Sequence, residues 1–266
     1  MTASLEIVAD AVGRWLDDTP RPLILGLCGS QGSGKSTLAA ALVERASGQG
    51  LRAATLSLDD LYLGKAARAD LARDIHPLLA TRGVPLTHDV ARGIAILDAA
   101  RAGDTFELPR FDKASDAPLA RSETVEAPLD LLIFEGWCVG ARPQPDAALA
   151  APINLLEREE DPDGDWRRAV NHALACPYRS LFDRIDRLVL LAAPGFEIVR
   201  QWRSEQERAL RDRLVAAGRD PVATMDDARI ARFVAHYERI TRAILREMPA
   251  RADLTVRLDT RRRPID

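Results

Sequence analysis

The sequence predicts an α/β fold in which a parallel β-sheet is covered by helices on both faces. Apolar runs of strand length recur along the chain, as in Leu23–Cys28 and Leu188–Ala193, and segments with helical spacing of apolar residues separate them. This alternation favours right-handed βαβ units and hence a parallel sheet. The 266 residues, of which 47% are hydrophobic, are enough for a full core, and we expect one domain over residues 1–266.

A helix and a strand open the chain. Residues 4–17 place Val12 and Leu16 on one helical face, and the prolines within 19–22 end that helix. The apolar run that follows is continuous, as expected for a parallel strand buried on both sides. A glycine-rich turn then leads into a predicted helix over residues 35–47.

The later elements alternate in the same way. Residues 60–88 and 139–163 are rich in glycine and proline, and we expect both to be irregular. Apolar positions of the last long helix, such as Phe233 and Tyr237, are expected to pack in the core. The remaining predicted helices are 89–102, 165–175, 178–185, 195–217 and 226–247, and the remaining strands are 52–58, 105–108, 129–134, 187–192 and 254–258.

Composition excludes several classes of protein. The 37 basic and 40 acidic residues give a net charge of −3, without the basic surplus of a nucleic-acid binder. Apolar runs far shorter than the ~20 residues of a membrane span, and a start that lacks a signal-peptide pattern, indicate a cytoplasmic protein that does not enter membranes. Three widely separated cysteines indicate neither a disulfide framework nor a zinc site. The sequence leaves the oligomeric state open.

The glycine-rich turn carries a phosphate-binding motif. Its residues read GSQGSGKS and match G-x-x-x-x-G-K-[ST] at every fixed position, between a strand and a helix. Backbone N–H groups and the helix N-terminus would hold the phosphates of ATP, with Lys35 on the β- and γ-phosphates and the Ser36 hydroxyl on Mg²⁺. The fold is therefore predicted to be a P-loop NTPase-type parallel sheet with an irregular substrate-side insertion. The candidate ATP-binding residues of this turn are Gly29, Ser30, Gln31, Gly32, Ser33, Gly34, Lys35, Ser36 and Thr37.

Carboxylates follow two of the predicted strands. Asp59 and Asp60 come at the end of strand 52–58, on the rim where ligands bind in open α/β sheets. Asp59 could accept a proton from an attacking hydroxyl, or it could cap a short turn, which is the stronger alternative for Asp60. Glu135 follows strand 129–134 and is the candidate second Mg²⁺-associated group, with a structural role as its alternative.

Four segments carry a resemblance to a known family. Residues 56–62 (LSLDDLY), 82–89 (RGVPLTHD), 109–113 (PRFDK) and 134–137 (FEGW) resemble the D-glycerate 3-kinase family, in its plant form and in a related bacterial and fungal branch. That family lies within the phosphoribulokinase and uridine kinase group of P-loop kinases. The resemblance covers most of the chain, and its second and third segments are more specific than the phosphate-binding motif.

The resemblance implies roles for individual residues. Asp59 matches the catalytic base, and Ser36 and Glu135 match the Mg²⁺-associated pair. Arg110 and Lys113 suit a small carboxylate substrate, although a solvated hairpin would look the same, and His88 could equally be a surface or capping residue. Lys113 is also one of only three lysines among the 37 basic residues. The residues that fall in acceptor-facing segments are Tyr62, His88, Asp89, Arg110, Asp112 and Lys113.

A predicted helix near residues 195–215 resembles the lid of this kinase group, and residues 60–125 would provide the acceptor site. In such lids arginines neutralise the charge that shifts during transfer. Arg203 is the candidate catalytic arginine and Arg200 an ATP contact, with a solvated helix face as the alternative for both.

The leading hypothesis is an ATP-dependent kinase that converts D-glycerate, a small-molecule partner, into 3-phosphoglycerate. A kinase of another hydroxylated metabolite, such as a nucleoside or a pantothenate-like alcohol, is the alternative within that class. A nucleotide-dependent regulatory ATPase is the alternative from a different class. Asp59 at the strand end and the basic segment 109–113 favour a kinase.

Overall fold

The computed structural model describes residues 2–216 and 225–265. Its helices are α1 (Thr2–Asp18), α2 (Lys35–Gly48), α3 (Lys65–Asp74), α4 (Val90–Ala102), α5 (Leu155–Glu160), α6 (Asp165–Ala175), α7 (Pro177–Phe182), α8 (Glu197–Ala216) and α9 (Asp227–Glu247). Its strands are β1 (Leu23–Gly29), β2 (Ala53–Ser57), β3 (Phe106–Leu108), β4 (Phe111–Asp112), β5 (Ala117–Pro118), β6 (Glu123–Val125), β7 (Leu131–Gly136), β8 (Arg187–Ala192), β9 (Leu254–Leu258) and β10 (Pro264–Ile265).

A central sheet of six strands in the order β10-β9-β8-β1-β7-β2 organises the fold. All neighbouring strands run parallel except β10, which pairs with β9 in the antiparallel sense. The predicted parallel sheet is therefore confirmed. Since β1 lies between β7 and β8, the carboxyl ends of β1, β2 and β7 meet at one edge, and this edge carries the glycine-rich turn, Asp59 and Glu135.

Helices cover both faces of the sheet, as predicted. One hydrophobic cluster packs α1, α2 and Trp202 of α8 against one face, and a second packs α4, α6, α7 and α9 against the other. The side chains of β1 alternate between the two clusters, with Leu25 in the first and Ile24 in the second. Each face of the parallel sheet is thus apolar, which explains the unbroken apolar run in the sequence.

The structure corrects the expectation that residues 60–88 are irregular. They include α3 and two short 3₁₀ turns, Leu58–Leu61 and Pro77–Ala80. Helix α3 escaped prediction because it has no apolar stripe: the one side chain it buries is that of Arg68, which is 3% exposed. The contacts of Arg68 and the packing of the partly buried Leu71 against the core hold this helix, and two such positions give no periodic apolar pattern that could reveal it.

Other differences concern short or shifted elements. The strands β4, β5 and β6 have two or three residues each and form small antiparallel pairs, β3 with β6 and β4 with β5. Helix α5 lies within the region 139–163 that was expected to be irregular. Strand β7 extends to Gly136, so Glu135 lies inside the strand rather than after it. Residue 217, the predicted end of α8, lies outside the described residues. None of the helices in the described ranges is long and apolar enough to cross a membrane.

Candidate active site

The glycine-rich turn joins β1 to α2 in a backbone conformation that favours glycine at two positions. Gly32 and Gly34 have φ angles of +80° and +91°, in the left-handed region that other residues rarely adopt. A Cβ on Gly34 would meet no atom within 4 Å, whereas a Cβ on Gly32 would lie 2.5 Å from Cβ of Trp202. The loop is therefore open at Gly34 and tightly covered by α8 at Gly32.

Polar atoms of this loop lack partners. The side-chain oxygens of Ser30, Gln31 and Ser33 are buried, and none accepts or donates a hydrogen bond within the described residues. Buried polar atoms without partners are rare in folded proteins, and the N–H groups of the first turn of α2 have no intrahelical acceptor. The Ser30 and Ser33 hydroxyls and these N–H groups can donate to anionic oxygens, unlike the Gln31 oxygen, and together with the dipole of α2 they fit a phosphate chain such as that of ATP.

Glu135 lies beneath the loop and is 3% exposed. Its Oε1 accepts hydrogen bonds from the hydroxyls of Ser36 at 3.0 Å and Ser57 at 2.8 Å. Lys35 Nζ lies 3.7 Å from Oε2, and Oε2 is buried and accepts no hydrogen bond from any described residue. Ser57 was not identified from the sequence; it faces Glu135 because the two are register partners in β2 and β7.

A carboxylate with a free buried oxygen beside a serine hydroxyl fits Mg²⁺. Within the described residues there is no cluster of three or more acidic, histidine or cysteine side chains that could hold a metal. Mg²⁺ sites of nucleotide-binding enzymes commonly use one or two protein ligands together with the substrate phosphates. Ser36 and Glu135 are the residues that would hold it.

A cavity of about 180 Å³ opens beside the phosphate-binding loop. It brings together eight residues predicted from the sequence: Gln31, Gly32, Lys35, Ser36, Asp59, Tyr62, Lys113 and Arg203. Five further lining residues were not predicted as site residues: Arg82, Trp137, Gln206, Phe233 and Tyr237.

Asp59 presents its carboxylate to this cavity and is held by two partners. The Tyr62 hydroxyl donates to Oδ1 at 2.6 Å, and Lys113 Nζ lies 2.5 Å from Oδ2. Burial by itself raises the pKa of this carboxyl, but the charges of Lys113 and Lys35 and the two hydrogen bonds hold the pKa well below its usual range. Asp59 is therefore ionised, and it becomes a stronger proton acceptor when Lys113 moves away from it.

Asp60, its neighbour, points away from the cavity. Its Oδ1 accepts a hydrogen bond of 3.0 Å from the backbone N–H of Phe111, and its Oδ2 lies 3.2 Å from Arg110. Arg110 also pairs with Glu123 at 2.5 Å and does not line the cavity. Arg110 therefore forms ion pairs at the base of the β4–β5 hairpin. The sequence had predicted that it contacts the acceptor.

His88 is buried rather than exposed. It stacks on Tyr62 with ring centroids 4.8 Å apart, and its Nδ1 lies 2.6 Å from the Tyr178 hydroxyl. Burial lowers its pKa to about 3, so the ring is neutral. The alternative of a surface or capping histidine is therefore wrong. The predicted acceptor contact of His88 stays a prediction, because its side chain packs against Tyr62 and does not line the cavity.

Three other residues predicted for the acceptor site or the lid also lie outside the cavity lining, as do Glu135 and, in the phosphate-binding turn, Gly29, Ser30, Ser33, Gly34 and Thr37. Asp89 caps α4 by accepting a hydrogen bond of 2.9 Å from the N–H of Arg92. Asp112 accepts hydrogen bonds from the backbone of the following turn. Arg200 is exposed on α8. In contrast, Arg203 reaches the cavity, pairs with Glu207 at 2.6 Å and lies over the ring of Phe233.

The unpredicted residues lie together because of contacts between distant segments. Trp137 donates a hydrogen bond of 2.8 Å to the carbonyl of Gly83, and the Tyr237 hydroxyl donates one of 3.2 Å to the carbonyl of Arg82. Gly83 has a φ of +128°, and a Cβ there would lie 1.9 Å from the Tyr237 hydroxyl oxygen. Tyr237 was expected to be ordinary core. The glycine of the segment RGVPLTHD was the one sequence signal for this close approach.

Comparisons with known proteins agree with this architecture. The chain is 35% identical over 256 residues to the uncharacterized kinase mug58 of Schizosaccharomyces pombe, covering 88% of this chain and 87% of that protein. It is 30% identical over 269 residues to the chloroplastic D-glycerate 3-kinase of Arabidopsis thaliana, covering 94% of this chain and 55% of that longer protein. No family model matches.

The fold is shared with a solved structure. The D-glycerate 3-kinase from Cryptococcus neoformans superposes with a TM-score of 0.81 over 99% of this chain and 98% of that chain, at 23% sequence identity.

Proposed function

The chain belongs to the D-glycerate 3-kinase family of P-loop kinases, and on this premise we propose that it transfers the γ-phosphoryl group of ATP to the 3-hydroxyl of D-glycerate. The products are 3-phosphoglycerate and ADP. The names of the two relatives support a kinase, and the complete phosphate-binding motif supports ATP as the donor. The plant relative and the fungal structural neighbour, both described as D-glycerate 3-kinases, support the choice of acceptor.

One observation of this chain carries the proposal: Asp59 and Lys113 line the same cavity as Lys35 and Ser36. A carboxylate that accepts a hydroxyl proton and an ammonium that pairs with a carboxylate are the two groups that a hydroxy acid needs. Both stand beside the loop that would hold the γ-phosphate. A nucleoside carries no carboxylate for Lys113, and a regulatory ATPase needs no acceptor-facing base.

Five residues of the site have a defined role in the proposed transfer. The acceptor oxygen attacks the γ-phosphorus as the bond from that phosphorus to the oxygen of ADP breaks, and the hydroxyl proton passes to Asp59. Lys35 and Arg203 stabilise negative charge on the transferring group. Ser36 and Glu135 would hold Mg²⁺, which when bound neutralises charge on the β- and γ-phosphates. Three other expectations from the sequence stay predictions. They are that the protein binds neither nucleic acid nor membranes, that it is cytoplasmic, and that residues 1–266 form one domain.

A panel of acceptors with coupled detection of ADP tests the proposal. The panel contains D-glycerate, L-glycerate, glycerol, uridine, pantothenate and a sample without acceptor. We expect the highest kcat/KM with D-glycerate and formation of 3-phosphoglycerate. Faster turnover of uridine or pantothenate would reject the acceptor and keep the kinase. ADP release that no acceptor accelerates would indicate the regulatory ATPase.

A further inference from the structure

Arg82 opens the segment RGVPLTHD and lines the cavity beside Lys113, although it was not predicted as a site residue. Its side chain is 25% exposed, and its guanidinium lies 5.6 Å from the centre of the Phe111 ring. One of its nitrogens donates a hydrogen bond of 3.3 Å to the backbone carbonyl of Lys113. Arg82 is thus tied to the same turn that carries Lys113, and its Nε makes no hydrogen bond to the described residues.

A network of two ion pairs, anchored on the buried Arg68, fixes the position of Arg82. Asp116 pairs with Arg82 through Oδ1 and with Arg68 through Oδ2, the latter at 2.5 Å. Arg68 is 3% exposed and also donates to the carbonyls of Leu63 at 2.6 Å and Ala80 at 3.2 Å. One carboxylate therefore serves two guanidinium groups. The second positive charge is left without its own counter-charge, and Arg82 is the partner that reaches the cavity.

The surplus lies at Asp116 rather than around the cavity as a whole. The charged residues that line the cavity, taken with their direct ion-pair partners, comprise four cations and four carboxylates. The cations are Lys35, Arg82, Lys113 and Arg203, and the carboxylates are Asp59, Asp116, Glu135 and Glu207. Arg68 adds a fifth positive charge next to them through its own pairing with Asp116. The phosphates of ATP and a Mg²⁺ ion would add their own charges at the loop. On the acceptor side, Arg82 and Lys113 face a single cavity carboxylate, that of Asp59.

Lys113 can change partner at low cost. Its side chain is 60% exposed, whereas that of Asp59 is 25% exposed, and an exposed ion pair contributes only about 0–1 kcal/mol. In the described state the ammonium occupies Oδ2 of Asp59, the oxygen that would otherwise be free for an acceptor hydroxyl, since Oδ1 accepts from Tyr62.

We propose that Arg82 is a further acceptor-binding residue, and that it forms with Lys113 a clamp for the carboxylate of a small hydroxy acid, drawing Lys113 away from Asp59. The proposal rests on the proposed function and adds a residue and a reason for specificity. An anionic acceptor frees Oδ2 of Asp59 to take its hydroxyl proton. A neutral polyol or water meets an Asp59 that Lys113 still occupies.

Two acceptors of matched size test the clamp: D-glycerate and its neutral counterpart glycerol. For Arg82→Gln we expect the ratio of kcat/KM for glycerate to kcat/KM for glycerol to fall by ~10–100-fold, because a charge-assisted hydrogen bond is lost. For Lys113→Met we expect glycerate turnover to fall and glycerol turnover to rise above that of the wild type. The KM for ATP should stay within about twofold in both variants, because neither residue belongs to the loop. Lys65→Met is the control, since Lys65 is exposed and lies outside the cavity lining.

The outcomes separate the clamp from the proposed function. If both variants lower glycerate and glycerol turnover equally, the clamp is wrong even when glycerate is the substrate. If the wild type prefers another hydroxy acid, D-glycerate is wrong, and the ratio is measured for that acid and its neutral alcohol. If the best acceptor is neutral, both ideas fail. Should Arg82→Gln not fold, the rise in glycerol turnover in Lys113→Met decides alone, and its absence overturns the clamp.

Discussion

Ser57 and Glu135 face each other across β2 and β7, and the Ser57 hydroxyl donates a hydrogen bond of 2.8 Å to Oε1 of Glu135. The same oxygen accepts from Ser36 of the phosphate-binding loop. Ser57 therefore orients the carboxylate so that Oε2, which accepts no hydrogen bond in the described part of the chain, remains available. Partners that orient a metal-binding carboxylate typically matter ~10–100-fold for metal affinity.

The first prediction follows for Ser57→Ala. We expect the Mg²⁺ concentration for half-maximal turnover to rise by ~10-fold or more, while the KM for the acceptor stays nearly the same. A Mg²⁺ titration of turnover measures this. Thr55→Val is the matched control, because Thr55 lies two residues earlier in β2 and its buried hydroxyl makes no hydrogen bond to the described residues. An equal shift in both variants would mean that the strand, not the hydroxyl, is responsible.

The second prediction concerns the pair of Lys35 and Glu135. The two side chains are 14% and 4% exposed and lie 3.7 Å apart, so Lys35→Met leaves a buried carboxylate without its counter-charge. We expect loss of ATP-dependent turnover and a lower free energy of unfolding, by about 1–3 kcal/mol. The double variant Lys35→Met/Glu135→Gln should regain stability and stay inactive. Denaturant unfolding and turnover assays test both statements, and a double variant as unstable as the single one would contradict the first.

The third prediction is that two buried, neutral histidines make the free energy of unfolding sensitive to acid. Burial lowers the pKa of His88 to about 3 and that of His236 to about 4, against an ordinary value near 6.5. Below pH 6.5 the unfolded chain therefore binds protons that the folded chain does not, and the free energy of unfolding falls as the pH drops toward these values. Each histidine should remove about 2 kcal/mol between pH 7 and pH 5.

Unfolding of three variants at both pH values tests the acid sensitivity. His88→Asn and His236→Asn should each make the difference in unfolding free energy between pH 7 and pH 5 smaller by about that amount. His172→Asn, at an exposed position, should leave the difference unchanged. If the exposed and buried variants behave alike, burial of neutral histidines is not the cause.

The parts of the site that sequence could predict are those fixed by local chain geometry. The turn from β1 to α2 and the acidic residues at the ends of β2 and β7 follow from strand length and from the shared edge of a parallel sheet. Lys113 and Arg203 were predicted from the family resemblance, and both line the cavity. Arg110 was predicted in the same way but does not line the cavity, because it pairs with Asp60 and Glu123. Sequence spacing gives no sign of those two contacts.

The parts that sequence missed depend on contacts between distant segments. Tyr237 meets Arg82 across 155 positions of the chain, and its helical spacing is that of a core residue. Arg68 lies in a helix without an apolar stripe, so its buried network with Asp116 leaves no periodic signal. Strands of two residues, such as β4 and β5, are too short to show an alternating pattern.

The last prediction distinguishes the two adjacent carboxylates that follow β2. Asp59 lines the cavity and shares it with Lys35 and Lys113, whereas Asp60 holds the N–H of Phe111 and the guanidinium of Arg110. Asp59→Asn keeps the shape and the hydrogen bond from Tyr62 but removes the basic oxygen. Acceptor-dependent turnover should then fall by ~10²–10⁴-fold, while the KM for ATP stays nearly constant. The exposed Lys113 ammonium returns to solvent at little cost in stability.

Asp60→Asn is the internal control for this prediction. The amide oxygen can still accept a hydrogen bond from the N–H of Phe111, so the hairpin should keep its position. The loss of charge beside Arg110 should lower the free energy of unfolding, whereas turnover should fall far less than in Asp59→Asn. Steady-state kinetics with D-glycerate and thermal unfolding of both variants measure the two effects. If Asp60→Asn reduces kcat more than Asp59→Asn does, the base is Asp60, and the hairpin must open to expose it during the reaction.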